Sequence, residues 1–271
     1  MKRRDFIQKT VTSSALLSLG GLSLSSFDSI KSTKITILHT NDVHSHIDPF
    51  PADHPKNANQ GGVAKRATLV EKIRREEPNV LLLDAGDIFQ GTPYFNYYGG
   101  ELEFKLMSMM NYDFKNTVLN EIIKPYKVFK KEGIKIGIFG LGVELNGLVD
   151  KKLYKETVYN NPIEVAKDIT ITLKEKEKCD LIICLSHLGF QYKNDPNKVC
   201  DITLAQKTKD IDLIIGGHTH TFLDKPVIEQ NAVNKPVLIN QVGCYGINLG
   251  RIDFYLSDDK KYDSLTQNII I

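Results

Sequence analysis

Four short runs of Ile, Val and Leu each end in a cluster of metal-capable side chains, and this arrangement constrains the chain more than any other feature. Ile35 to Leu38 leads to Asp42-Val43-His44, and Val80 to Leu83 leads to Asp84-Ala85-Gly86-Asp87. Leu181 to Leu185 leads to Ser186-His187-Leu188-Gly189, and Leu213 to Ile215 leads to Gly216-Gly217-His218-Thr219-His220. Apolar runs this short, separated by helical stretches, are the pattern of an α/β protein. In such sheets the loops beyond the carboxyl ends of strands gather into one crevice, so the four clusters are predicted to converge. One His or Asp after a strand is ordinary turn or surface chemistry. Four clusters at equivalent positions are hard to assign to chance. Gly86, Gly91, Gly189, Gly216 and Gly217 beside them allow the tight turns and close backbone approach that a crowded metal centre requires, though structural turns explain each one equally well.

The remaining elements follow from periodicity and punctuation. Lys34 to His39 reads as a strand, and Val63 to Glu76 as a helix with Ala64, Ala67, Val70 and Ile73 on one face. Val80 to Leu83 is a strand and Leu102 to Met110 a helix. Tyr126 to Lys130 and Ile134 to Phe139 flank Lys131-Glu132-Gly133, a hairpin signal with Gly at the turn. Pro162 to Lys178 suits a helix with Pro in its first turn. Val237 to Asn240 and Arg251 to Leu256 are strands that complete the sheets.

The stretches HTNDVHSH from His39, LLLDAGDIFQGTP from Leu81, CLSHLGF from Cys184 and LIIGGHTHTF from Leu213 together resemble the metal motifs of calcineurin-like phosphoesterases, in the branch that holds the 5'-nucleotidases. The resemblance spans residues 34–256. It implies an α/β fold in which two sheets form a sandwich flanked by helices, αββα, with metals at the strand ends. It further implies that Asp42, His44 and His220 hold one divalent metal, that His187 and His218 hold a second, and that Asp87 bridges them. Mixed carboxylate and imidazole ligands suit Mn, Zn, Fe or Co better than the all-oxygen shells of Ca or Mg. Two such ions about 3.5 to 4 Å apart lower the pKa of a shared water and clamp both oxygens of an in-line displacement at phosphorus.

The same resemblance exposes a departure. Relatives carry, after the helix equivalent to Leu102 to Met110, a further strand ending in Gly-Asn-His-Glu or Gly-Asn-His-Asp. Here Met109-Met110 runs into Asn111-Tyr112-Asp113-Phe114, and no Gly-Asn-His occurs anywhere. The absent Asn would be a ligand of the second metal, which impairs that site. The absent His would stabilise the transferring phosphoryl group or protonate the leaving group. Asn116, Asn120 and Glu121 are the nearest stand-ins, and none has the motif's flanking glycine or preceding strand.

At the amino end, Lys2, Arg3 and Arg4 precede an apolar stretch from Ala15 to Leu24, the plan of an export signal over residues 1–25. About ten apolar residues are too few to span a bilayer, which needs about 20. Arg3-Arg4 followed by Phe6 resembles the twin-arginine type, which implies a bacterial periplasmic destination; an ordinary secretory signal is the alternative. Without residues 1–25 the chain keeps 31 bases against 32 acids, and such near-neutrality argues against a nucleic-acid polymer as partner. Cys179, Cys184, Cys200 and Cys244 lack metal-type spacing and read as structural thiols.

The reading that follows is an exported metallophosphatase, a hydrolase of nucleotides or similar small phosphate esters with a place in nucleotide catabolism. Its alternative is a degenerate relative that binds metal or phosphate with little turnover. A third keeps the enzyme and changes the bond, since this fold branch includes exported enzymes that cleave sulfur–sulfur linkages. The nucleobase-holding C-terminal domain of family members has no counterpart before Ile271, so base recognition would need a separate polypeptide.

Overall fold

The computed structural model describes residues 32–115, 124–257 and 262–271, with backbone only at 114 and 115. The export-signal reading of residues 1–25, and Asn116, Asn120 and Glu121, lie outside the described residues.

Two sheets carry the chain. The first has the order β11-β10-β1-β2-β3, built from β1 (Thr33–Thr40), β2 (Val80–Asp84), β3 (Phe114–Lys115), β10 (Asn248–Leu256) and β11 (Tyr262–Ile270). The second has the order β4-β5-β6-β7-β9-β8, built from β4 (Tyr126–Lys131), β5 (Ile134–Leu141), β6 (Leu181–Ser186), β7 (Leu213–Ile215), β8 (Val227–Gln230) and β9 (Pro236–Asn240). Strands β1, β2 and β3 run parallel, as do β5, β6, β7 and β9, while β4, β8, β10 and β11 pair antiparallel.

Alternation of side chains along each strand explains the layering. Ile35, Ile37, Leu81, Leu83, Ile252 and Phe254 of the first sheet form one buried cluster with Ile136, Ile138, Leu181, Ile183, Leu213 and Ile215 of the second. The opposite face of the first sheet, with Leu38, Val80 and Leu82, packs on Val70 and Ile73 of α1 (Val63–Glu76) and Met107 of α3 (Glu101–Met109), which follows α2 (Pro93–Tyr98). The opposite face of the second sheet, with Phe139, Ile182 and Ile214, packs on Ile163 and Ala166 of α5 (Pro162–Ile171) and Leu204 of α6 (Asp201–Lys207); α4 (Lys151–Tyr154) precedes α5. Helix, sheet, sheet, helix is the expected αββα sandwich. Among the described residues no helix is long and apolar enough to cross a membrane.

Local chemistry sets the element ends. The β4–β5 turn places Glu132 at φ 45 and Gly133 at φ 84, the left-handed pair of a two-residue hairpin. Asn161 caps α5 by accepting from Ile163 N at 3.0 Å, with Pro162 in the first turn. The helix predicted to continue to Lys178 gives way to a π turn at Thr172–Lys176. The cause lies in Ile169-Thr170-Ile171-Thr172, a β-branched run whose Thr hydroxyls bond back to the carbonyls of Lys167 and Asp168.

Two expectations need correction. The sheets do not end at Leu256: β11 pairs with β10 along its full length, and its polar, half-exposed sequence is that of an edge strand rather than an apolar run. A further strand also exists after α3. In β3, Phe114 and Lys115 pair parallel with Leu83 and Asp84 of β2, while Asp113 exchanges bonds with Leu82 through its backbone N–H and its carboxylate. Two residues are too short to register as an apolar run. The four cysteines are buried and unpaired, as read.

Across the sandwich, Tyr262 donates its hydroxyl to Asp212 Oδ1 at 3.0 Å, and Asp212 Oδ2 accepts Ile182 N at 2.8 Å. Burial raises the Asp212 pKa to about 6 despite these bonds. The folded state therefore holds a proton that the unfolded state has released, so stability falls as pH rises from about 4 through about 6, by about 3 kcal/mol in total. Asp212→Asn, which mimics the neutral acid, is expected to match the parent in urea denaturation at pH 4 and exceed it by up to that amount at pH 7.5.

Candidate metal centre

All the parallel strands that carry predicted site residues end at one edge, and their loops are laced together there. Asp42 N donates to Gly86 O, His44 N to Asp87 O and Ser45 N to Ile88 O, so the loops after β1 and β2 continue the sheet's ladder beyond its strands. His187 N donates to Leu141 O at the end of β5. The backbone N–H of His218 donates to both Asp42 oxygens, at 2.9 and 3.0 Å, tying the loop after β7 to the loop after β1.

The six predicted residues fall into two groups, Asp42-His44-His220 and Asp87-His187-His218, whose ligand-capable atoms lie within 4.8 Å of one another in each group. Nε2 of His44 faces Nε2 of His220 at 2.9 Å. Asp42 Oδ1 stands 3.6 Å from His220 Nε2 and 3.9 Å from His187 Nε2. Asp87 Oδ2 stands 3.1 Å from His187 Nε2 and 3.8 Å from His44 Nε2. Both carboxylates thus reach both groups.

Which nitrogens point inward follows from what holds the others. His187 Nδ1 faces Ala85 O at 2.8 Å and His44 Nδ1 faces Gln90 O at 2.8 Å. A nitrogen facing a carbonyl carries the proton, so in each neutral ring Nε2 presents a lone pair to the crevice. Nε2 of His187 is buried and makes no aligned hydrogen bond. Converging nitrogens and two carboxylates suit a cation, whose place the His187 proton takes in the metal-free chain, and the donor set fits a borderline transition metal.

The electrostatics agree. Burial disfavours the His187 cation, but Asp87 and Asp42 outweigh it and raise its pKa to about 9. Burial, together with the His187 charge, pushes His218 down to about 4. For Asp87, burial acts upward and the His187 contact more than offsets it, leaving the carboxyl below its ordinary range.

Backbone strain is concentrated on the same residues. Asp42, His44, Asp87, His218 and His220 all have φ between 50 and 72. Left-handed conformations cost non-glycine residues of order 1 kcal/mol or more and persist where the surroundings impose them, chiefly at functional sites. Gly217 shows how tightly the groups pack: a Cβ there would sit 2.7 Å from His187 Nδ1 and 3.1 Å from Asp42 Oδ2.

Sequence reasoning missed three contributors. Asn41 donates to Asp42 Oδ2 at 2.7 Å and to Gly243 O at 2.6 Å. Gln241 donates to Gly217 O at 2.7 Å and accepts from the Thr219 hydroxyl at 3.1 Å. Tyr245 donates its N–H to Asp42 O at 2.7 Å, and its ring centroid lies 5.9 Å from those of both His44 and His220. Gln241 and Tyr245 follow β9, another parallel strand reaching the same edge, so the rule that located the other clusters also points to this loop.

Comparison with known proteins places this geometry in context. The family profile of calcineurin-like phosphoesterases matches residues 35–222. The chain is 30% identical over 81% of its length to the trifunctional nucleotide phosphoesterase YfkN of Bacillus subtilis, covering 18% of that protein. It is 31% identical over 89% of its length to the snake venom 5'-nucleotidase of Naja atra, covering 54% of it. The 5'-nucleotidase precursor of Thermus thermophilus superposes with a TM-score of 0.75 at 24% identity, over 88% of this chain and 55% of that one. The chain therefore spans about half the length, or less, of these relatives.

Proposed function

The chain belongs to the calcineurin-like phosphoesterase family, and on that footing we propose that it is an exported, metal-dependent hydrolase of phosphate monoesters such as nucleotides. The observation that carries this reading is the convergence of six ligand-capable side chains, five on strained backbone, at one sheet edge. Asp42, His44 and His220 would hold one ion and Asp87, His187 and His218 the other, with both carboxylates between them. Bound there, two divalent ions supply water activation and charge neutralisation at phosphorus. The chain's own part is to fix the ligand tautomers through Ala85 O and Gln90 O, and to hold Asp42 through Asn41 and the His218 N–H. The loops after β1, β2, β6, β7 and β9 form the walls around that point. Export rests on the sequence of residues 1–25.

The test is release of phosphate from an aryl phosphate and a nucleoside monophosphate by the purified chain with added Mn or Zn, abolished by chelator and restored by metal. Metal binding without phosphate release would instead support the second reading, a binder with little turnover. That reading is favoured by the missing Gly-Asn-His.

Ion uptake must displace the His187 proton. That proton is bound below about pH 9 and required to leave, so metal affinity is expected to rise about tenfold per pH unit between pH 6 and 8. Calorimetry in buffers of different ionisation enthalpy should register the released proton. A pH-independent affinity would remove His187 from the ligand set.

A further inference from the structure

A ladder of aromatic rings leads away from the candidate metal centre. It starts at Tyr245, whose ring meets both His44 and His220, and continues to His46 at 4.4 Å, centroid to centroid. Phe50 stacks on His46 at 5.1 Å and 27°, and His54 follows Phe50 at 4.6 Å. All four side chains are half-buried, so each keeps part of its surface open to solvent.

Backbone ties hold the ladder in place. Tyr245 sits at φ 62 with its N–H on Asp42 O, between Gly243 and Gly246 at φ 80 and 65. Phe50 exchanges hydrogen bonds with the 59–60 backbone, accepting from Asn59 N and donating to Gln60 O. Gly62 lies so close to Pro49 that a Cβ would meet Pro49 N at 2.9 Å. His54 Nδ1 accepts from Asn57 N at 3.0 Å. The strained Tyr245 backbone is a cost that simple loop packing does not require. Among the described residues its hydroxyl makes no hydrogen bond, which leaves that end of the ring available as well.

We propose that Tyr245, His46 and Phe50 form a subsite on this domain for a flat ring carried by the leaving group of the phosphate ester. It rests on the proposed hydrolase reading for the position of the phosphate, and adds to it that the metal-bearing domain itself discriminates ring-bearing from alkyl esters. Rings anchored at a metal rim suit an aryl group or nucleobase because every such ring has a π-face to stack, whatever its hydrogen-bonding edge.

The experiment compares binding of phenylphosphonate and methylphosphonate to the full, manganese-loaded chain by calorimetry. A preference of about tenfold for phenylphosphonate is expected, the size of one aromatic stack. Tyr245→Leu and Phe50→Leu, which keep apolar bulk and remove a ring, are each expected to bring the ratio within about twofold of one. Equal affinity in the parent chain, or a preference that survives both variants, would overturn the subsite. Preference without hydrolysis of any ester would keep the subsite and remove the hydrolase reading. Hydrolysis without preference would do the reverse, and binding of neither phosphonate to manganese-loaded protein would remove both.

Discussion

Asp42→Asn should lower phosphate release by about 10² to 10⁴ and leave the ion held with His44 and His220 without its own carboxylate. Asp42 is fully buried, its two oxygens accept the His218 N–H and the Asn41 amide, and Oδ1 faces the imidazoles of His220 and His187. An asparagine keeps the shape but turns one acceptor into a donor, opposing an amide that already points inward. Breaking a buried charge partnership costs about 3–5 kcal/mol, which is the stated range in rate or binding. Metal content by mass spectrometry and turnover of an aryl phosphate are the readouts. Chelated parent and chelated variant should differ by about 1–3 kcal/mol in urea denaturation, the cost of the hydrogen bonds to the His218 N–H and Asn41 that an amide cannot keep, and the rest of the loss should appear only when the ion is bound. A larger loss in the chelated comparison would make Asp42 a structural residue instead. Asp212→Asn, at the opposite ends of the strands, serves as the control.

What was legible in the sequence followed from long, regular signals. The strands that bury side chains on both faces announce themselves as unbroken apolar runs: Leu181 to Leu185 and Leu213 to Ile215 carry no polar residue, and both lie where read. Edge strands send no such signal. No residue of β8 or β11 is buried, and β3 has two residues, so apolar periodicity could not separate them from loops. Helix α5 was visible from Pro162 and its apolar face, while its early end required the backbone competition of Thr170 and Thr172 to be weighed.

The site was legible for a different reason. Each cluster is uninformative alone, but the convergence rule for parallel strands turns four separated motifs into one crevice, and the structure brings all six side chains together. The rule was applied to four strands and not to β9, which is why Gln241 and Tyr245 went unread. Asn41 adjoins a candidate ligand, yet its role depends on Gly243 and Val242, more than 200 positions away in the chain, which pair with it only once the loops after β1 and β9 meet. Long-range hydrogen bonds of that kind leave no periodic trace.

The second large effect concerns the leaving group. All seven histidines fall within the described residues: His39 is buried against Asn240, four line the metal centre, and His46 and His54 belong to the aromatic ladder. No Gly-Asn-His follows β3, and the resemblance implies that this motif's imidazole stabilises the transferring phosphoryl group or protonates the leaving group; in the second role its loss removes the general acid. Expulsion of a phenolate needs little help from an acid, whereas expulsion of an alkoxide such as a nucleoside hydroxyl depends on one. General acid catalysis is worth about 10² to 10⁴ in rate. The kcat for p-nitrophenyl phosphate should therefore exceed that for a nucleoside monophosphate by about that factor. KM should tell the two causes apart: both substrates carry rings and should share the ladder, so their KM values should lie close, while an alkyl phosphate should combine the low kcat with a raised KM. A nucleotide kcat within a few-fold of the aryl value would show that another group in the chain supplies the proton, and that the loss of the motif was compensated.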